Sequence, residues 1–337
     1  MTMNESRLQY PAPVAIEHPE LLAYRSEFPI LQRKTYLNSC SLGALSNRSM
    51  QGLAQFMETW NEWGAHAWYE IWMGEIAKAR QKFATIIGAQ LHEVAILFER
   101  EVDDKTVLVA TSRVFYTSGY IQDVRSVADI AHKHGAYMLV DDYQGTGQIP
   151  INVNAVDVDF LVTGTLKWLM GGPGLAFVYI REGLISQLQP IIAGWFGHRE
   201  QFQFKTREFD FRPEATRVEM GTPAVAAIYA ANGGLDIVQE ISVEQICERT
   251  RYLTNDLIAQ AREHGWKVRA PLEPEQRSSI VMLEIEHPEE VVKALVARNI
   301  ISDSRPGLLR VSPYFYNSIE ENALVIDAIA EIIESRK

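Results

Sequence analysis

The sequence predicts an α/β fold: a mostly parallel sheet covered by helices, with a smaller C-terminal α+β domain. Three observations carry this prediction. Short apolar runs alternate with amphipathic helical patterns in the first two thirds of the chain, which is typical of a parallel sheet. Residues 223–264 have the spacing of long helices. The strand and helix pattern then restarts after residue 265, which indicates a second unit.

Each element follows from its local pattern. Apolar positions recur every three or four residues over 47–88, and Gly64 is expected to split this stretch into two helices. Residues 124–135 form an amphipathic pattern closed by a glycine. The predicted strands are 106–112, 137–144, 159–165, 175–180, 266–271, 278–285 and 308–316, with further helices at 287–300 and 319–337. We predict a large domain over 30–235 and a small domain from 1–29 and 236–337.

Composition narrows the possible partners. The chain has 337 residues and a formal net charge of -11, so a nucleic acid or an anionic membrane is an unfavourable partner. There is no apolar run of membrane-spanning length and no signal-peptide pattern. The two cysteines, Cys40 and Cys247, have neither CxxC spacing nor metal-ligand neighbours. We therefore expect a cytoplasmic protein without a structural metal.

The residues with catalytic potential are concentrated between 139 and 174. Asp141 and Asp142 end a predicted parallel strand, where active sites of open α/β sheets lie. One strand later, Lys167 follows Thr163 and Thr165 and precedes a glycine-rich turn. A lysine in such a pocket can attack an aldehyde, and the threonine hydroxyls can donate to a phosphate. A carboxylate beneath a pyridine ring keeps its nitrogen protonated and makes the ring an electron sink.

These motifs, in this order, resemble the class V aminotransferase family of fold-type I pyridoxal 5'-phosphate enzymes. The similar segments are YLNSCSLGALS, VDDYQGTG, TGTLKWLMGGPG, RVEMGTPAV and GLLRVSPYFYN, and they are distributed over residues 36–317, which is most of the chain. The family includes cysteine desulfurases, selenocysteine lyases, kynureninases and isopenicillin-N epimerases. The resemblance implies a homodimeric enzyme that uses pyridoxal phosphate and acts on an amino acid.

The same resemblance assigns roles to individual residues. Lys167 would be the Schiff-base lysine, and the motif spacing favours Asp141 over Asp142 as the partner of the ring nitrogen. Gln144 would lie near the phenolic oxygen of the cofactor. Thr222 would reach the phosphate in the neighbouring subunit. For the substrate, Arg310 would bind the α-carboxylate through a bidentate pair, with Asn38 of the opening motif nearby.

The chain departs from the family pattern after residue 97. The strand VAIL runs directly into FEREVDDK, where the family has a phosphate-binding turn and an aromatic residue that stacks on the ring. A segment is thus missing between Leu97 and Phe98. Either the chain carries a true deletion, or the printed sequence omits residues that the protein has. The intact mass, against 38.2 kDa, distinguishes the two.

Further departures bear on the reaction. Arg113 and Tyr116 stand where the family has histidine and asparagine, and Leu166 precedes the lysine. The stretch before Arg310 is short and has no cysteine, which disfavours persulfide chemistry and is more similar to kynureninase or epimerase relatives. Transamination or related chemistry at Cα and Cβ is the first hypothesis. The alternatives are a lyase or epimerase without a persulfide cysteine, and a catalytically degenerate binding subunit.

Overall fold

The computed structural model describes residues 15–64, 67–90, 94–97, 108–204, 208–271 and 273–336. Among the helices in these ranges, none is long and apolar enough to cross a bilayer. The strands are β1 (Thr35–Tyr36), β2 (Val94–Leu97), β3 (Leu108–Ser112), β4 (Tyr137–Asp141), β5 (Phe160–Gly164), β6 (Ala176–Ile180), β7 (Val281–Glu284), β8 (Ile300–Ile301), β9 (Asp303–Arg305) and β10 (Leu308–Val311).

Helices make up much of the rest of the described chain. The α-helices are α1 (Asn47–Trp63), α2 (Met73–Ile87), α3 (Val124–Lys133), α4 (Val153–Val156), α5 (Glu182–Ile185), α6 (Val225–Ile241), α7 (Val243–Glu263), α8 (Pro288–Ala297) and α9 (Ile319–Glu334). A π-helix spans Trp68–Trp72, and 3-10 helices span Pro19–Glu27, Pro29–Gln32, Trp195–Gly197, Gln201–Gln203, Ala215–Val218 and Pro274–Gln276.

The main sheet has the strand order β2-β6-β5-β4-β3. Strands β3, β4 and β5 are parallel, whereas β6 runs antiparallel to both of its neighbours. The prediction of a mostly parallel sheet is therefore confirmed. Strand β4 forms because apolar residues fill it, and Met138 and Val140 are fully buried. The carboxyl ends of β3, β4 and β5 consequently meet at one edge of the sheet.

The predicted helix break at Gly64 is confirmed. Helix α1 begins after Ser46, whose hydroxyl accepts a hydrogen bond from the Ser49 amide, and it ends at Gly64 with φ +51. It packs closely on α6 because two glycines allow the backbones to approach. A Cβ on Gly52 would lie 2.2 Å from the Tyr229 carbonyl oxygen, and one on Gly233 would lie 2.3 Å from the Ser49 nitrogen.

A second hydrophobic core lies in the C-terminal third, where α7, α8 and α9 pack against β7 and β10. The strand predicted over 266–271 is shorter than expected. It pairs with β7 through an isolated bridge between Val268 and Leu283, since Pro271 has no amide hydrogen to continue the ladder. The predicted domain boundaries at residues 30 and 235 stay predictions.

Strands β2 and β3 are consecutive in the chain, yet they lie at opposite edges of the main sheet. Consecutive strands of a parallel sheet usually neighbour each other, joined by a crossover of a dozen or more residues. The proposed missing segment between Leu97 and Phe98 falls at this connection. Residues 98–107 lie outside the described part of the chain, so the prediction of a missing segment is not tested by the structure.

Candidate active site

A cavity of about 310 Å³ opens at the carboxyl edge of β3, β4 and β5. This volume lies at the lower end of the range for small-molecule sites. The cavity brings together three of the predicted site residues, namely Lys167, Asp141 and Gln144. Its lining is formed by Ser112, Val114, Tyr116, Asp141, Tyr143, Gln144, Leu166 and Lys167.

The two carboxylates of the DD pair have different surroundings. Asp141 ends β4 and lines the cavity, where its oxygens accept hydrogen bonds from the Tyr143 amide (2.9 Å) and the Ser112 hydroxyl (3.4 Å). Asp142 is fully buried and turned away from the cavity. Successive side chains at a strand end point to opposite sides, so only one of the pair can face a ligand. The geometry favours Asp141.

Asp142 belongs to a buried ion pair with Arg113. The Arg113 guanidinium donates to both carboxylate oxygens, at 2.6 and 2.9 Å, and to the carbonyl oxygens of Ile149 and Pro150. The Thr146 hydroxyl also donates to Asp142 at 2.6 Å. Arg113, which departs from the family pattern, therefore holds the loop after β4 in place and is not among the residues that line the cavity.

Lys167 projects into the cavity from the turn after β5. Its Nζ lies 4.4 Å from the ring centroid of Tyr143. Gly43 of the opening motif packs on this turn, because its amide donates to the Leu166 carbonyl at 2.9 Å. A Cβ on Gly43 would lie 2.1 Å from the Lys167 carbonyl oxygen, so only glycine fits. The segment around Gly43 thereby holds the lysine turn in place.

Gln144 connects the lysine turn to the rest of the site. Its side-chain oxygen accepts from the Trp168 indole at 3.0 Å, and its amide nitrogen donates to the Cys40 carbonyl at 3.2 Å. That nitrogen carries a second hydrogen for a ligand. The buried Tyr314 hydroxyl, which has one hydrogen to donate, lies 2.6 Å from the Gly147 carbonyl oxygen and 2.9 Å from that of Trp168. The segment GLLRVSPYFYN, which contains Tyr314, thus supports the turn that carries Lys167.

The three threonines that were predicted to contact the phosphate are not among the residues that line the cavity. Thr163 and Thr165 are buried, and their hydroxyls donate to the backbone carbonyls of Asp142 (3.3 Å) and Gly172 (2.9 Å). Neither residue is among those that line the cavity. Thr222 is exposed on the chain surface. The roles of these three threonines in phosphate binding stay predictions.

Arg310 lies on β10, and its side chain is buried. Its Nη2 donates to the Asp303 carboxylate at 2.5 Å. Ser312, two residues after Arg310, forms an isolated β-bridge with Asn38. Its hydroxyl donates a hydrogen bond to the Cys40 sulfur at 3.0 Å. Burial raises the pKa of that thiol, although Arg310 and Ser312 oppose the change. Cys40 is therefore a poor nucleophile at neutral pH.

Sequence reasoning missed two members of this region. Tyr143 lies between Asp141 and Gln144 in the segment VDDYQGTG, and nothing in the neighbouring sequence indicates that its ring would reach Lys167. The position of Asp303 next to Arg310 could have been predicted from the sequence. The sequence DSRPGLLR reads as a hairpin turning at Pro306 and Gly307, and that register places Asp303 opposite Arg310.

The residues of the cavity suit pyridoxal phosphate. The cavity is lined by a lysine amine, which suits the aldehyde of this cofactor, and by a carboxylate, which suits its ring nitrogen. It is also lined by an amide donor, which suits the phenolic oxygen, and by an aromatic ring, which suits the face of the cofactor ring. Together with the mostly parallel sheet, they define the class of fold-type I pyridoxal-phosphate enzymes.

A sequence model of the family "Aminotransferase class-V" matches residues 63–321. The chain belongs to this family. The predicted family, fold and cofactor are therefore confirmed, and the protein is a pyridoxal-phosphate enzyme of amino-acid chemistry. The predicted residue roles are not tested by this match.

Individual relatives include an aminotransferase of Bacillus subtilis, YcbU, described as uncharacterized. It is 29% identical over 368 aligned positions, covering 91% of this chain and 96% of the relative. The alignment is longer than the 337 residues of this chain, so YcbU has residues without a counterpart here. A kynureninase of Bacillus thuringiensis subsp. konkukian is 25% identical, covering 90% of each chain.

Solved structures agree with the fold. The apo cysteine desulfurase from Thermococcus onnurineus NA1 superposes with a TM-score of 0.83 at 18% identity, covering 96% of this chain and all of that one. The cystine C-S lyase C-DES, solved with its product cysteine persulfide, gives a TM-score of 0.81 at 17% identity, covering 90% and 99%. At this level of identity the likeness concerns the fold alone.

Proposed function

We propose that the protein catalyses transamination of an amino acid, with Lys167 and Asp141 as the residues that hold the cofactor ring. The observation that carries the proposal is that both side chains line a single cavity at the carboxyl edge of the sheet. The similarity to YcbU favours transamination over the alternatives. When bound, pyridoxal phosphate supplies an aldehyde that captures an amine and a ring that accepts electrons from Cα.

Side chains of the protein would bind the cofactor and the substrate and would transfer the proton. The Asp141 carboxylate would hold a proton on the ring nitrogen, and Gln144 would donate its second amide hydrogen to the phenolic oxygen. Arg310 would bind the substrate α-carboxylate. The Lys167 amine would remove the proton from Cα of the donor amino acid and, in the second half of the reaction, deliver a proton to Cα of the amino acid formed from the acceptor keto acid. Tyr143 keeps this amine over the cavity, at 4.4 Å from its ring centroid.

The second candidate reaction is cleavage of the substrate side chain, favoured by the similarity to kynureninase. Formation of a persulfide on the protein is the least favoured, since Cys40 is fully buried and the pKa of its thiol is raised. Product analysis separates these reactions. A keto acid formed with consumption of an acceptor keto acid supports transamination, whereas alanine with a released side-chain acid supports cleavage.

The first experiment is an absorbance titration of the purified protein with pyridoxal phosphate. The parent should develop a visible band that borohydride removes, and Lys167→Ala should not. Lys133→Ala, which changes an exposed lysine on α3, is the matched control and should behave as the parent. Absence of the band in parent and control alike would refute the proposal and favour a non-catalytic binding subunit.

We further propose that the enzyme is a cytoplasmic homodimer in which Thr222 serves the partner's site. The exposure of Thr222 supports this role, since a residue that contacts a neighbour must reach the surface of its own chain. Mixing two inactive variants, Lys167→Ala and Thr222→Ala, tests it. A heterodimer would contain one intact site, so activity should return on mixing. No recovery, with mixed dimers shown by mass spectrometry, would rule out the shared site.

A further inference from the structure

Three charged side chains share one face of the β9–β10 hairpin. Asp303 and Arg305 are two residues apart on β9, and Arg310 is the direct cross-strand partner of Asp303. Residues two apart on a strand point to the same face, and so do directly paired residues. One oxygen of Asp303 accepts hydrogen bonds from both arginines, at 2.9 Å from Arg305 and 2.5 Å from Arg310.

This face of the hairpin lies on the side of the main-sheet core, next to the cavity, and its three charged residues are not among those that line the cavity. Leu309 and Val311, on the other face of β10, belong to the C-terminal core, whereas Leu308 packs with the core of the main sheet. Arg310 alternates with Leu309 and Val311 and so points the same way as Leu308. Arg305 lies further out, with its guanidinium 5.9 Å from the ring centroid of Tyr116, which lines the cavity.

The cluster has an unbalanced charge and an unused donor. Burial would raise the pKa of Asp303, but the Ser304 amide and the two guanidinium groups together hold it below its usual value, so the carboxylate is ionised at neutral pH. Two cations and one anion leave a net charge of one positive unit. The buried Nε of Arg310 has no hydrogen-bond partner among the described residues. Such an orphan donor indicates a place for one further acceptor.

We infer that Asp303 sets the number of carboxylates that the substrate site accepts. This inference rests on the proposed role of Arg310 in binding the α-carboxylate. Because Asp303 already neutralises one of the two arginines, a single substrate carboxylate completes the charge balance. A second carboxylate, as in aspartate or glutamate, would meet the Asp303 anion. The site therefore selects amino acids with uncharged side chains.

The lining of the neighbouring cavity is consistent with an uncharged side chain. Tyr116, Tyr143, Val114 and Leu166 form much of its lining. The charged members of the lining, Asp141 and Lys167, are assigned to the cofactor in the proposed function. Arg305 presents its guanidinium to the Tyr116 ring, and its charge is compensated by Asp303 at 2.9 Å.

The test compares the binding of propionate and succinate to the cofactor-loaded protein by calorimetry. The parent should bind propionate more tightly than succinate. Asp303→Asn adds one positive unit, and the ratio of the two affinities should shift towards succinate by about tenfold. Asp303→Glu keeps the charge and should keep the parent ratio. Asp129→Asn, in the exposed pair with Arg125 on α3, makes the same change in net charge elsewhere and should have no effect.

Arg305→Gln provides a second variant with the opposite sign. It makes the cluster neutral, so propionate should bind about tenfold more weakly. The inference is overturned if Asp303→Asn changes both affinities by the same factor, or if Arg305→Gln leaves propionate binding unchanged. The proposed role of Arg310 is tested separately by Arg310→Gln. If that variant binds propionate like the parent, the proposed function of this residue fails, whatever Asp303 does.

Discussion

The Nζ atom of Lys167 lies 4.4 Å from the centre of the Tyr143 ring. Gly164, the last residue of β5, makes this arrangement possible, since a Cβ there would lie 2.5 Å from the Tyr143 hydroxyl oxygen. The Tyr143 ring therefore packs directly on the backbone of Gly164, with its face towards the Lys167 amine. A residue of the loop after β4 thus positions a residue of the turn after β5.

Replacing Tyr143 should weaken cofactor binding only if the replacement removes the aromatic ring. Tyr143→Phe keeps the face and should bind pyridoxal phosphate within about twofold of the parent. Tyr143→Leu removes the aromatic face that the site offers to the cofactor ring, and an aromatic contact of this kind is worth about 0.5–1.5 kcal/mol, or about two- to thirteenfold in affinity. Absorbance titration measures both. Equal losses in the two variants would mean that the hydroxyl matters and the ring face does not.

Arg113→Ala should strongly destabilise the protein. It leaves the fully buried Asp142 carboxylate without its bidentate partner, and breaking a buried pair in this way costs about 3–5 kcal/mol. Urea unfolding followed by circular dichroism gives the change in the free energy of unfolding. Arg125→Ala, in an exposed i,i+4 pair with Asp129, is the matched control and should cost less than about 0.5 kcal/mol. Similar costs for the two variants would contradict the buried pair's role.

The stability contributed by His18 should fall as the pH rises. Burial lowers the pKa of His18, but its contacts with Glu248 and Glu20 outweigh burial, so the pKa in the folded protein is raised above 6.5. A raised pKa stabilises the folded state below the unfolded value, and this stabilisation is lost as the pH passes through the folded pKa. Unfolding free energies of the parent and His18→Gln should therefore differ more at pH 6 than at pH 9. A difference that is independent of pH would show that the imidazole contributes only by packing.

The connection after Leu97 should limit cofactor retention. If the intact mass of the protein is 38.2 kDa, the turn that would hold the phosphate is absent, and gel filtration should strip pyridoxal phosphate unless the cofactor is reduced onto the lysine. Mass spectrometry and the absorbance of the eluted protein test this together. A protein of 38.2 kDa that keeps a full complement of cofactor through the column would show that other residues bind the phosphate.

The sequence by itself determined the elements and the class of the protein. Strand runs and helical periodicity depend on neighbouring residues, so β4, β5, α3 and the break at Gly64 were predictable. The order of the motifs indicated the family, the cofactor and the importance of Lys167. These properties need no knowledge of which distant segments meet.

Only the tertiary structure decided how those residues divide their roles. Asp141 and Asp142 are adjacent and chemically identical, and they differ because Arg113, 29 residues away, lies beneath only one of them. Likewise, Gly43 and Tyr314 fix the lysine turn from the two ends of the chain. The surroundings of a side chain are set by long-range packing, which local sequence patterns do not record. The charge balance around Arg310 arises in the same way, from the register of two paired strands.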